Sequence, residues 1–280
     1  MLIAGALLSV VCGLANSAAA LLEKREMLHA GTGRRGLALL VLLARRPWWL
    51  VAMGFSVIAW ASETAALGLA PVPVVTTLRS AGRGGLVIAG HQWLDEHFGR
   101  LELVALVLLT AGGILTAVSA ATHPVAAPLS IADELLIAAI SVALTVILAR
   151  GRHSLGLGSA VGVLFVATGI YGKEIGDRIV RDGSSALTAL LVTPGPWLMI
   201  VLGLWAISLL QHALTRANAA SVAAVTTTIS SNGLIAAGAL LYHQPVASGT
   251  TVIPLVLGLI VSALGAAALA TQHTRGSRKE

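Results

Sequence analysis

Charge is what this chain has least of. Only 11% of its 280 residues are Asp, Glu, Lys or Arg, whereas a soluble domain carries about 25%. So few charges cannot cover a water-facing surface, which excludes a soluble enzyme, a nucleic-acid-binding domain and a disordered tail. Cysteine is nearly absent. Cys12 stands alone in an apolar run, so an internal disulfide is excluded, and no Cys/His spacing suggests zinc. The eight His are scattered, most of them at expected loops or helix ends. The alternation of a membrane β-barrel is missing too.

Apolar length is abundant. Hydrophobic residues make up 56% of the chain and the mean hydropathy is +0.89, which points to an integral membrane protein. The net charge of +6 then reads as the Lys/Arg excess of cytoplasmic loops rather than a nucleic-acid footprint.

A membrane helix needs about 20 largely apolar residues. Nine stretches qualify: 2–22, 48–68, 72–93, 101–121, 131–149, 155–172, 196–213, 218–241 and 251–271. Gly36–Ala44 is apolar but too short to span, and a tenth helix follows only if it does. The first span lacks the basic leader of a signal peptide. Its charges come afterwards, in Glu23-Lys24-Arg25-Glu26. With the N-terminus outside and nine spans, 13 Lys and Arg lie inside and 3 outside, while Arg79 and Arg83 fall within a span. That bias favours a cytoplasmic C-terminus in a multi-pass protein of the plasma membrane. Trp48, Trp49, Trp93, Trp197, Tyr171 and Tyr242 close or open spans and read as interface anchors.

An internal repeat appears at an offset of 150 residues. Residues 70–89 align with 220–239 at seven of twenty positions, including Thr76/Thr226, Thr77/Thr227 and Ser80/Ser230; composition alone gives about two. The segments are the third and eighth spans, which cross in opposite directions. The repeat is therefore inverted, the signature of secondary transporters. The expected organisation is a first repeat over 1–122 with four helices, a second over 131–271 with five, and a basic tail over 272–280.

Charges at mid-membrane cost at least about 2.5–3.5 kcal/mol and need a partner or a wet cavity. Arg79 and Arg83 lie on one helix face, Arg79 about 10 Å deep and Glu63 about 7–8 Å deep on the neighbouring helix. Two readings stand side by side. Arg79 pairs with Glu63 and locks two helices, or the arginines line a cavity and meet an anionic substrate group. The eighth span adds Thr226, Thr227, Thr228, Ser230, Ser231 and Asn232, of which Thr226, Thr227, Ser230 and Asn232 join Arg79 and Arg83 as candidate substrate-binding residues. Asn16 and Ser17 in the first span are weaker candidates. Glu63 is a candidate coupling residue. Lys173, beside Glu174 at the end of the sixth span, reads as an outer gate or as half of an interface charge pair.

Several short motifs bear a family likeness. Arg45-Arg46-Pro47-Trp48-Trp49, Leu69-Ala70-Pro71, Trp93-Leu94-Asp95-Glu96, Lys173 and Gln211-His212-Ala213-Leu214 resemble the drug/metabolite transporter superfamily, most closely its EamA-like members and the NIPA-type magnesium transporters. The likeness runs over almost the whole chain. It implies an all-α polytopic fold of inverted repeats that moves a small solute, with no covalent catalysis; no cofactor and no nucleic-acid partner is expected. Two departures weigh against magnesium. The third span carries Arg79 and Arg83 where the magnesium transporters have small or apolar residues. Trp60 stands where they have an acid in the second, with Glu63 nearby. A hard dication wants carboxylates, carbonyls and retained waters, so one Glu against two Arg favours an anionic or zwitterionic metabolite. A magnesium carrier and a non-transporting scaffold or accessory subunit are the alternatives. A homodimer is left open as the assembly.

Overall fold

A computed structural model describes residues 1–30, 42–82, 128–150, 154–214, 219–242 and 252–261, with isolated positions between 104 and 115 and at 264–265. The described residues form helices and no strand. In order they are α1 (Leu2–Ala30), α2 (Pro47–Leu69), α3 (Val72–Gly82), α4 (Ile131–Arg150), α5 (Ser154–Asp182), a 3₁₀ turn (Gly183–Ser185), α6 (Ala186–Val192), α7 (Pro194–Leu214) and α8 (Ala219–Leu241). A short apolar helix, α9, covers Val252–Val261.

Five stretches are long and apolar enough to cross a membrane: Leu2–Glu23, Pro47–Leu69, Ile131–Arg150, Gly156–Asp182 and Pro194–Ala213. They match five of the expected spans, and α8 matches a sixth to within a residue. The expected spans 72–93, 101–121 and 251–271 run largely or partly outside the described residues, as does most of Gly36–Ala44. Leu7, Val57, Ile140, Ile147, Val201 and Leu204 are exposed. In water such faces would be liabilities; in a bilayer they are the surface lipid covers.

Local sequence sets the boundaries. Pro47 opens α2, where its missing N–H costs nothing. Ala70 is extended and returns its N–H to Ala66 O; Pro71 then enforces the break. At α4 the Asp133 N–H donates to Ser130 Oγ (3.2 Å) and the Ser130 N–H to Asp133 Oδ2 (3.3 Å), a reciprocal cap of the kind Ser and a short acid form at helix starts. Asp133 and Glu134 in that first turn also suit the helix dipole.

Helix α5 is the core. Buried residues make up 67% of its apolar stretch, against 17–39% for the other four candidate spans. It packs against α2, α4, α7 and α8, while α1 packs against α2 and α3. The helix runs ten residues past the expected end at Gly172. The charged stretch that suggested a stop is satisfied within the helix, by pairs four residues apart.

Two contacts depend on having no side chain. A Cβ on Gly162 of α5 would lie 2.8 Å from Ile229 Cβ of α8, and one on Gly68 of α2 would lie 2.6 Å from the Gly176 carbonyl oxygen of α5. At the second contact backbone meets backbone, so neither side can give. Small residues allow such approach between membrane helices. Gly68→Val is expected to cost at least about 3 kcal/mol, the upper end for overpacking, read as a lowered melting temperature in detergent.

Candidate functional site

Val72 and Val75 of α3 share a core with Leu234 and Tyr242, while Arg79 reaches Ser231 of α8 (Nη2 to Oγ, 3.5 Å). The two helices therefore run antiparallel. Arg79 is 5% exposed. Its Nη1 donates to Glu63 Oε1 of α2 in a close ion pair, and its Nε is buried with no hydrogen-bond partner. On the other side of Glu63, Cys12 Sγ of α1 donates to Oε2 (3.9 Å), and Asn16 Nδ2 donates to Cys12 Sγ (3.5 Å). One chain of contacts thus joins α1, α2, α3 and α8 around a salt bridge in which Arg79 is buried and Glu63 partly so.

The pairing settles which charges meet. Glu63 and Arg79 cancel. The expected surplus of positive charge then rests on Arg83, which lies outside the described residues. An ion pair so placed is costly to desolvate, and its spare Nε is a donor in want of an acceptor.

The Thr/Ser/Asn stretch of α8 divides. Thr226 is buried and donates to Gly158 O of α5 (3.0 Å), and Ser230 donates to Thr227 O within its own helix (3.1 Å). The first hydroxyl ties α8 to α5; the second is spent within α8. Thr227 is buried and Asn232 half-buried. Ser231 is the α8 side chain at the arginine. Cys12 and Asn16, one turn apart on α1, belong to the network as well. Their four-residue spacing was visible in the sequence, but nothing there aimed that face at Glu63. Ser17 instead donates to Gly13 O (2.9 Å).

A second charged group lies near the C-terminal end of α5. Lys173 is fully buried and binds Asp177 (Nζ to Oδ1 2.5 Å, to Oδ2 2.7 Å), not Glu174. Its ammonium lies 6.0 Å from the centre of the Tyr242 ring, within cation–π range. Glu174 binds Arg178 Nε (2.7 Å), and Arg178 Nη2 lies 3.7 Å from Glu134 Oε1 of α4. The tyrosines expected as interface anchors are interior. Tyr171 is fully buried and donates to the Glu134 carbonyl (2.6 Å); Tyr242 donates to the Ile170 carbonyl (2.8 Å). Each hydroxyl serves a backbone acceptor in a neighbouring helix, which is why burial wins. Trp48 and Trp197 are half-exposed, as anchors should be, whereas Trp49 is buried.

Compared with protein-family models, with curated proteins and with solved structures, the chain matches none.

Proposed function

We propose that this chain is a membrane transporter of the drug/metabolite type that carries a small polar or anionic metabolite by alternating access. The observation that carries the reading is the buried Arg79 at the meeting of α3 and α8, paired with Glu63 and holding a spare donor. An incoming anionic group takes the guanidinium in place of Glu63, the candidate coupling residue, so the buried cation keeps an anion beside it, as a low-dielectric path demands.

The order of elements supports two inverted halves. At an offset of about 150 residues, α1 corresponds to α5, α2 to α7 and α3 to α8. Packing follows the same rule: α1 lies against α2 and α3, and α5 against α7 and α8. Helix α4 has no counterpart. As an extra span it reverses the second half, in keeping with four spans and then five, the N-terminus outside the plasma membrane and the C-terminus in the cytoplasm. Arg83, Thr227 and Asn232 remain candidate substrate contacts, with Thr226 and Ser230 supporting them from the helix interface. Lys173 stays the candidate outer gate.

The magnesium reading rests on the resemblance, and the arginine buried in α3 weighs against it.

Uptake into proteoliposomes tests the proposal. A panel of small carboxylates, phosphorylated metabolites and amino acids is expected to include a solute taken up saturably, above empty vesicles. Saturable Mg²⁺ uptake with no metabolite flux would instead favour the magnesium carrier. Silence from folded protein across both panels would favour the scaffold.

A further inference from the structure

Every buried or partly buried carboxylate among the described residues but one faces a cation. Glu26 has Arg46, Glu63 has Arg79, Asp177 has Lys173, and Glu134 and Glu174 share Arg178. Glu23 is the exception. It is 6% exposed near the C-terminal end of α1, and its partners are neutral: Gln211 of α7, whose Nε2 donates to Glu23 Oε2 at 2.8 Å, and Ser56 of α2. The other end of that amide is idle, because Gln211 is 1% exposed and its Oε1 is buried without a hydrogen-bond partner.

We infer that Glu23 and Gln211 form a proton-binding site that fastens α1 to α7. A lone carboxylate in an apolar interior is costly as an anion, and taking up one proton makes it a neutral acid. The amide serves both states. Against the anion it donates Nε2–H, as observed. Against the acid it turns over, and the new O–H donates to the Oε1 that now has no partner. Protonation thus exchanges one hydrogen bond for another and removes the buried charge, so the α1–α7 contact is stronger with the proton bound.

Among the described residues the surroundings leave Glu23 as the titratable group without a charge partner. On α1, Glu26 is paired with Arg46 and Arg25 lies over the Trp48 ring, 5.6 Å from its centre. Helix α2 offers no titratable side chain from Pro47 to Trp60. Helix α7 carries one titratable side chain, His212, half-buried beside Gln211. On the transporter reading, α1 and α7 belong to opposite halves. The site would then latch the cytoplasmic side, and that consequence rests on the reading above.

The test is infrared difference spectroscopy of the full chain in lipid, between mildly acidic and mildly alkaline buffer, with a solute-uptake assay on the same samples. The expected result is a protonated-carboxyl C=O band that titrates. It disappears in Glu23→Gln, persists in Glu23→Asp, and shifts in frequency in Gln211→Leu, which removes the amide. His212→Gln should leave it in place. A wild-type spectrum without a band sensitive to Glu23→Gln would overturn the proposal, even where uptake is intact. A band that behaves as described while no solute is taken up would uphold the proton site and count only against the transporter reading. Glu23→Asp guards against misfolding, since it keeps the carboxyl.

Discussion

Arg79→Gln is expected to lower stability by up to about 3 kcal/mol, the cost of leaving a buried carboxylate without its cation, because Glu63 is only partly buried. Arg79 is 5% exposed and its partner Glu63 sits between it and Cys12. Glu63→Gln should cost a similar amount, because the guanidinium is then the charge left alone. The double variant removes both charges, and residues in one ion pair are not additive. It should recover all but about 1 kcal/mol of the loss, because replacing both members of a buried pair is often near neutral. Melting temperature in detergent reads this part. Uptake reads the other. If the pair merely locks α2 to α3, the double variant transports like the parent. On the present account it is folded and transports poorly, because the guanidinium that receives the anion at the meeting of α3 and α8 is gone.

Lys173→Met carries a comparable cost, about 3–5 kcal/mol. Its ammonium is fully buried, with both Asp177 oxygens within 2.7 Å. Removing it takes from Asp177 a charge partner that no water can replace. Adding Asp177→Asn should restore most of the stability, read again by thermal unfolding. The cluster fixes the end of the core helix α5 against α4 through Arg178 and Glu134. Loss of the lysine alone should therefore loosen α4 as well, seen as faster amide exchange in Ile131–Arg150.

Much of the fold was legible because membrane insertion is written in run length. Five expected spans reappear as long apolar helices, and Pro47, Pro71 and the Ser130–Asp133 cap mark boundaries with local chemistry. The end of α5 was not legible. A charged stretch looks like exit from the bilayer until the partners four residues away are known to pair. The tyrosines misled for a related reason. A phenol suits a headgroup layer and a buried carbonyl equally well, and only tertiary packing decides between them.

The site was legible in part. Depth counting placed Glu63 and Arg79 on adjacent antiparallel helices, and they are paired. The choice of Ser231 over its neighbours depends on the rotation of α8 about its axis, which six polar residues in seven cannot fix. The bond of Thr226 to Gly158 O depends on a glycine face of another helix. Glu23 and Gln211 lie 188 positions apart, and no local pattern joins them.

The chain's single cysteine offers the most direct measurement of the central claim, that the Arg79–Glu63 pair lies on a path that opens to water. Cys12 is fully buried and touches Glu63. Its rate of reaction with a small hydrophilic thiol reagent should be measured on the native chain in proteoliposomes, with and without a transported solute. The account predicts that Cys12 reacts while the protein stays folded, and that the solute slows the reaction in a saturable way. A Cys12 that stays inert until the protein unfolds, in vesicles that still take up solute, would contradict it and place the path elsewhere.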